Sequence, residues 1–402
     1  MLQSTCRICQ APHLKEIFNL GSQVLGCRFP ASNESDPIEA PLILVQCQGE
    51  CGLLQLSHTV SATELYLNHY GYRSGLNQTM INHLTHLVEE IEDKIKINKE
   101  DVILDIGSND CTTLKAYRHS CRLIGIDPTG KQFQQYYPDH VTLVPTFFDA
   151  DTYCNHCTKK AKVVTTISMF YDLPDPVQFA QHIKNILASD GIWVSEQSYA
   201  VTMVEKNSFD TIVHEHLEFY TLKQFKYIAD KTGLKIIDVT LNECNGGSFR
   251  VTLSHADSHY PVSTNVDNLL KQELLFNDQV LIDFVTRCQN NKIKVYNFLK
   301  EQKDQGKKIY LYGASTKGNT LLQYYHLDGT IITAAAERNP EKYGRRTPGT
   351  NIPIVSEAEM RESKPDFLLV LPWHFKEEFL KREEEYLKYG KIIFPLPEMT
   401  IY

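Results

Sequence analysis

No apolar run in this sequence approaches bilayer length; the longest obvious one is the short stretch inside Pro365-Asp-Phe-Leu-Leu-Val-Leu-Pro-Trp373. A spanning helix needs about 20 such residues, so no membrane partner is expected. Met1 to Cys9 holds no apolar leader core, and 11 cysteines is an odd number for a disulfide framework. Both point to the cytoplasm, with thiols reduced or holding metal. A basic excess is missing too: the net charge is −8 and the pI near 6.0, which argues against a nucleic-acid partner. Internal repeats and low-complexity tracts are absent, as are the zincin H-E-x-x-H, the dinucleotide G-x-G-x-x-G and a complete Walker A loop. What remains is an ordinary globular chain of 402 residues, with room for two or three domains.

Its cysteines are not spread evenly. Cys6-Arg-Ile-Cys9 and Cys47-Gln-Gly-Glu-Cys51 lie within one short segment, joined by loop-like sequence. Two such knuckles can give Cys6, Cys9, Cys47 and Cys51 to one tetrahedral zinc, a closed shell with no open position for substrate. So small a segment has little apolar surface, and the metal would supply folding energy. Cys154-Asn-His-Cys157 has no partner pair nearby and reads as incidental; Cys27 reads as packing.

Apolar strands alternating with helical periodicity follow. Met80 to Ile97 has helical spacing, Val102-Ile-Leu-Asp105-Ile-Gly107-Ser-Asn109 reads as a strand entering a glycine turn, and Thr112 as a helix start. A second strand ends at Asp127, about twenty residues on, the spacing that suits a ribose diol. The lone glycine disfavours a dinucleotide pyrophosphate, whereas S-adenosylmethionine fits the layout. Further strands end at Ser168-Met169 and at Glu196, with a helix over 176–187 between them. The alternation predicts a doubly wound parallel sheet with ligands at the carboxyl ends of its strands, where Asp105, Asp127, Ser168 and Glu196 all fall.

Soon after Glu196 comes a run with His214, Glu215, His216, Glu218 and Tyr220. If Thr211 to Thr221 is extended, alternation puts His214, His216, Glu218 and Tyr220 on one face. A polar edge strand, metal ligation by His214, His216 and Glu218, and a histidine general base are the three readings. The position over the cofactor cleft favours the base. Downstream, Asn245-Gly-Gly-Ser-Phe-Arg250 reads as a loop entering a strand, with Arg250 able to face phosphate and the glycines able to admit substrate. Residues 265–305 read as one or two long helices. A strand at 308–312 then runs into Gly313-Ala-Ser-Thr-Lys317-Gly-Asn319, an anion site at a helix N-terminus with Lys317 as its charge. Arg338 lies in a loop that lines the same cleft, and His374 belongs to an aromatic cluster.

Assembled, these features resemble the bacterial sugar C-methyltransferases, which make 3-C-methyl deoxysugars from nucleotide-linked 4-keto-6-deoxyhexoses. The resemblance rests on CGLLQL, DIGSND, GIDPTG, TISMFYDLPDP, EQSY, NSFDTIVHEHLEFY, NGGSFR and YGASTKGN, nearly end to end. It implies an α/β protein in three parts. These are a zinc module over 1–75, a Rossmann-like S-adenosylmethionine domain over 76–258, and a helical linker with a Rossmann-like sugar-nucleotide domain over 259–402. It maps the family's base onto His216, with Glu215 beside it. Cys111 stands where the family's cofactor turn usually has glycine, and Val213 where some members have tyrosine.

The expected chemistry is methylation of the carbon beside a ketone. A neutral His216, with His214 and Glu215 beside it, removes the C3 proton, and Tyr70, Tyr72 and Tyr171 are candidate donors to the enolate oxygen. Asp105, Gly107, Asn109, Asp127, Ser168 and Met169 are expected around the cofactor. Arg250, Tyr312, Gly313, Ala314, Ser315, Lys317, Asn319 and Arg338 are expected around the sugar nucleotide. The rivals are a methyltransferase acting on an oxygen or nitrogen nucleophile and a non-catalytic sugar-nucleotide-binding protein. A monomer or small homo-oligomer is expected.

Overall fold

The computed structural model describes residues 1–66, 72–118 and 120–402, arranged around three sheets. The first is small. Strands β1 (Leu14–Val24), β2 (Glu39–Cys47) and β3 (Leu54–Leu56) run antiparallel, and a short strand from far downstream, β9 (Glu218–Phe219), completes it in the order β1-β2-β3-β9. The cysteine module therefore shares a sheet with the His214–Tyr220 run.

The central sheet contains β4 (Val102–Ile106), β5 (Arg122–Ile126), β6 (Val141–Val144), β7 (Ala161–Ile167), β8 (Leu187–Ser198), β10 (Leu234–Asn242) and β11 (Ser248–His255). Its order is β10-β11-β8-β7-β4-β5-β6. The strands β8-β7-β4-β5-β6 are parallel; β11 and β10 add on antiparallel, so the sheet is mixed at one edge. All five residues of β4 are buried, the mark of a strand covered on both faces. The helix Gln78–Lys94 begins at an Asn77 cap and buries Leu84, Leu87, Val88 and Ile91 on one stripe. Asp175 caps the helix Pro176–Ile186 in the same way, with Pro176 in its first turn. Chain order reverses about β4, which opens a crevice beyond the carboxyl ends of β4 and β7.

Two helices, Thr264–Glu273 and Asp278–Asp304, lead to the third sheet. It holds β12 (Ile309–Tyr312), β13 (Ala334–Glu337), β14 (Ile354–Ser356), β15 (Phe367–Val370), β16 (Lys391–Phe394) and β17 (Thr400–Ile401), ordered β14-β13-β12-β15-β16-β17. Every pairing is parallel except the last. Here the reversal falls at β12, the strand that runs into Gly313. Among the described residues no helix is long and apolar enough to cross a membrane.

Candidate functional site

The four expected zinc thiols converge: the sulfurs of Cys6, Cys9, Cys47 and Cys51 all lie within 4.8 Å of one another. Zn–S bonds of about 2.3 Å in a tetrahedron put sulfurs just under 4 Å apart, so the cage fits the ion. Backbone N–H groups of Ile8 and Gly49 point at Cys6 Sγ and Cys47 Sγ, at 3.5 and 3.2 Å. Any Cβ on Gly49 would sit 2.6 Å from Ala11 Cβ and press on two of the sulfurs, so this knuckle requires glycine. Cys154 and Cys157 stay outside the cage.

At the end of β4 the chain turns sharply. Gly107 has φ +75°, and a Cβ there would lie 3.0 Å from Met169 Cγ. Asn109 and Cys111 also sit in the left-handed region, at φ 46° and 69°, so Cys111 adopts the geometry glycine would give. Asp127 holds this turn: its Oδ2 accepts from Asn109 N at 2.7 Å, and its Oδ1 accepts from Thr129 N at 2.6 Å. Asp105 takes the Thr165 hydroxyl at 2.5 Å, and burial pushes its carboxyl up to about 7. A strap crosses the turn, with Ser74 N donating to Asn109 Oδ1 and Gly75 N to Asp110 Oδ2, both at 3.0 Å. Beside it is a cavity of about 320 Å³ lined by Arg73, Asp110, Thr112, Lys115 and Tyr136. Ser168 (φ 53°) and Met169 close the crevice from β7. The Thr129 hydroxyl also donates to Asp127 Oδ1, at 2.5 Å, so Oδ2 is the oxygen that keeps a lone pair; with the glycine cradle below and the strap overhead, it suits the adenosyl cofactor.

The His214–Tyr220 run is not the extended face that alternation predicts. A 3₁₀ turn spans Phe209–Thr211, a second turn bends at His214 and Glu215, and only Glu218–Phe219 is strand. The physical reason lies in the partners: His214, Glu215, His216 and Glu218 each turn toward a different one, while the buried Tyr220 hydroxyl has no hydrogen-bond partner among the described residues. His214 Nε2 reaches the Ala40 carbonyl at 3.1 Å. The Glu215 carboxyl meets the Cys27 thiol, and burial pushes it up to about 7, so Cys27 does more than fill space. Glu218 lies 3.4 Å from Arg7 Nε, both side chains fully buried, which ties the loop to the residue after zinc ligand Cys6. His214, His216 and Glu218 therefore do not form a metal site.

His216 alone in this stretch keeps partial access to solvent. Its Nδ1 donates to the Thr211 carbonyl at 2.7 Å, which fixes the tautomer and leaves Nε2 with a free lone pair. Its ring packs against Tyr171, centroids 4.1 Å apart and the planes tilted by 47°, and Tyr171 O accepts from Leu217 N at 2.7 Å. Burial, and then the charge of Lys317, push the imidazole down to about 3, so it is neutral at working pH. Tyr72 is 49% exposed at the cleft edge. Tyr70 lies outside the described residues.

Lys317 arrives from the third sheet. Gly313 (φ +90°) turns the chain after β12, Ala314 N donates to Glu337 Oε2 at 3.0 Å, and Ser315 caps the helix Thr316–Tyr325. The Lys317 charge bears on His216, Asp210 and His374 alike. His374 packs on Phe375, as its aromatic neighbours suggest, yet its buried Nδ1 has no partner among the described residues. Other expected substrate residues are engaged elsewhere. Arg250 Nε donates to Glu196 at 2.7 Å, and Arg250 Nη1 pairs with Glu90. Tyr312 donates to Glu383 at 2.6 Å and Asn319 to the Gly26 carbonyl at 2.8 Å, while Arg338 stays exposed. The glycines after Asn245 admit protein rather than substrate: a Cβ on Gly246 would meet Trp373 at 2.9 Å, and one on Gly247 would meet Thr202 at 2.2 Å. Sequence reasoning gives no role to Glu337, Asp210 and His83: Asp210 lies inside NSFDTIVHEHLEFY but ahead of its histidines, and Glu337 and His83 are single polar residues without a motif.

Three family models match the chain in succession: "Putative zinc binding domain" over 6–66, "Methyltransferase domain" over 76–239 and "C-methyltransferase C-terminal domain" over 243–397. The chain is similar to the C-methyltransferase NovU of Streptomyces niveus, 27% identical over 405 residues, covering 98% of this chain and 96% of that one. Among solved structures, a S-adenosylmethionine-dependent methyltransferase from Clostridium acetobutylicum matches 44% of this chain and 92% of its own, at 10% identity and TM-score 0.34. The mitomycin 7-O-methyltransferase MmcR matches 45% of this chain and 55% of its own, at 13% identity and TM-score 0.35. With a four-thiolate cage, a methyltransferase sheet and a C-terminal domain that the family models match one after another, the chain belongs to the C-methyltransferase family, an enzyme that uses S-adenosylmethionine and carries zinc.

Proposed function

We propose that the enzyme methylates C3 of a nucleotide-linked 4-keto-6-deoxy sugar, with His216 as the base that generates the enolate. The observation that carries this reading is the His216 ring: Nδ1 tied to Thr211 O, Nε2 unencumbered, and the face against Tyr171. A neutral imidazole suits removal of a proton that a neighbouring carbonyl has acidified, whereas a hydroxyl or amine acceptor needs no carbon acid. When bound, S-adenosylmethionine supplies an electrophilic methyl group on a sulfonium centre; Asp127 would hold its ribose, and Gly107, Asn109, Ser168 and Met169 would line it. Asp105, buried behind the turn on Thr165, would support that turn. Tyr171 and Tyr72 are the proposed donors to the enolate oxygen, and Tyr70 completes the set.

Lys317, with Gly313, Ala314 and Ser315 at the same helix N-terminus, would receive the diphosphate. The anion would offset the charge that depresses His216, so the base gains strength as substrate arrives. Holding the pieces in attack geometry would contribute up to roughly 7–11 kcal/mol. Glu215 and His214 would serve by fixing the loop that carries His216. The units 1–75, 76–258 and 259–402 are proposed as the zinc, cofactor and sugar-nucleotide parts. The test is to incubate the protein with labelled S-adenosylmethionine and a panel of nucleotide-linked 4-keto sugars, following exchange of the C3 proton with deuterated water. Methyl transfer without any C3 exchange competence would overturn the enolate route.

A further inference from the structure

The helix Gln78–Lys94 brings His83 to the carboxyl end of β8, where its Nε2 meets Glu196 Oε1. Glu196 is 1% exposed and sits in register with Ile167 on β7 and Arg250 on β11. Its other oxygen accepts from Asn242 Nδ2 at 3.0 Å and from Arg250 Nε at 2.7 Å. Arg250 also pairs with Glu90, which meets His86 on its solvent side. The Cys244 sulfur completes the surroundings, within 4.8 Å of the His83 and Glu196 ligand atoms. Two carboxylates thus share one buried guanidinium, and the second basic side chain in contact with Glu196 is His83. A carboxylate can only accept, so Nε2 carries a hydrogen, and Nδ1 is the ring nitrogen that Glu196 does not use.

This cluster borders the cleft that holds His216. Ser168 N donates to the Glu196 carbonyl at 2.7 Å, and three residues on, Tyr171 packs against His216. Tyr72 and Cys244 lie close enough to Tyr171 to act on it electrostatically. Burial opposes a charge on His83, yet its contacts with Cys244 and Glu196 prevail and push it up to about 10, whereas His216 is pushed down to about 3. Two imidazoles shifted in opposite directions in one cleft are the pattern expected of a neutral base beside a charged hydrogen-bond donor.

We propose that His83, held as an imidazolium by Glu196, is a second catalytic residue whose Nδ1–H donates to the substrate oxygen that turns negative as His216 takes the carbon-bound proton. The proton passes to His216 Nε2, the C–H electron pair becomes the new carbon–carbon π bond, and the carbonyl pair moves onto oxygen. His83 keeps its own proton throughout. The role rests on the C-methylation reading and adds a donor beyond the tyrosines.

The test uses the full chain with zinc bound. In ring-labelled protein, the His83 NMR signal, assigned by its loss in His83→Gln, should remain that of an imidazolium between about pH 6 and 9, and Glu196→Gln should return it toward an ordinary histidine. His83→Gln should lower kcat by about 10²–10³-fold with S-adenosylmethionine affinity unchanged, and His83→Lys, which keeps a cation, should recover part of that loss. A neutral His83 ring at neutral pH overturns the proposal, as does His83→Gln turning over at the parental rate. A Lys variant no better than Gln shows that packing, not charge, was lost, and overturns it too. If the parental protein transfers methyl to no ketone substrate, the C-methylation reading fails first and this catalytic role falls with it, whatever the NMR titration shows.

Discussion

After β4 the chain turns at Gly107, and after β12 it turns at Gly313; the two turns share their hydrogen bonding. Gly107 N donates to the Ile126 carbonyl at the end of β5, and Gly313 N donates to the Ala336 carbonyl near the end of β13, both at 2.8 Å. Each neighbouring strand ends in an acid that accepts from the turn: Asp127 from Asn109 N, and Glu337 from Ala314 N. Their surroundings diverge. Asp105, Asp110 and Asp127 crowd the first turn, whereas Lys317 and Lys342 flank the second, with Lys342 Nζ donating to the Ala314 carbonyl at 2.7 Å. One backbone device is therefore set among carboxylates at one turn and beside lysines at the other, the contrast on which the two proposed ligands rest. His216 stands between them, packed against Tyr171 from the first unit and sensing Lys317 from the second.

The zinc module spans both units, so removing zinc should break the comparison altogether. Its β3 pairs with β9 of the His214–Tyr220 run, and Gln224 donates to the Cys51 carbonyl at 2.8 Å. On the other side, Val24 N donates to Gln323 at 2.8 Å, and Arg346 pairs with Asp36 at 2.6 Å. A structural zinc can be worth about 10–16 kcal/mol to a small module. Chelation, checked by metal analysis, should abolish binding of both ligands by calorimetry. Retention of either affinity by zinc-free protein would mean the module does not hold the two units together.

His216→Asn should leave both affinities nearly intact and lower kcat by on the order of 10²–10⁴-fold, with C3 proton exchange falling in parallel. The pH profile sharpens the point. An ordinary histidine loses its base form below about pH 6.5. Burial and Lys317 hold this one down to about 3, so the acid-side loss of kcat/KM is displaced to lower pH. Lys317→Met removes part of that depression and should move the acid limb upward. An acid limb at ordinary histidine pH in the parental enzyme would remove His216 from the role.

Asp127→Ala and Lys317→Met should dissect the two turns. Each deletes a charge-assisted hydrogen bond, a loss of roughly 1.5–3 kcal/mol, but on different ligands. Asp127→Ala should weaken S-adenosylmethionine alone, and Lys317→Met the sugar nucleotide alone, the latter with reduced salt dependence. Calorimetry showing both variants weakened for the same ligand would erase the contrast.

What the sequence discloses and what it hides follows from how far each partner lies along the chain. The thiolate cage, the alternation of strand and helix, and the turn with its acid are written in residues that sit at fixed local spacings. The histidine run is misread as a strand because its partners, Ala40, Cys27, Arg7 and Tyr171, lie far away and pull in four directions. Arg250 and Tyr312 look free in sequence for the same reason, since Glu196 and Glu383 lie 54 and 71 residues away. His83 is hidden differently. On an amphipathic helix it is one polar residue among several, and only β8 identifies it.

The smallest effect concerns strain that the second turn lacks. The helix after Gly313 starts at Thr316 with no further left-handed residue, whereas the turn after Gly107 needs Asn109 and Cys111 there before Thr112. A side chain in that region costs about 1–2 kcal/mol. The Cys111 thiol offsets this through burial, fully enclosed in a cluster with Leu87 and Leu114. Cys111→Gly should therefore relieve strain while opening a small void, for a net change within about 1 kcal/mol. Cys111→Ala keeps the strain and loses the sulfur, so it should be the less stable variant by about 1 kcal/mol. Denaturant unfolding of the zinc-loaded protein measures both. An alanine variant as stable as the glycine one would show that the first turn carries no strain at Cys111, and the two turns would then differ in charge alone.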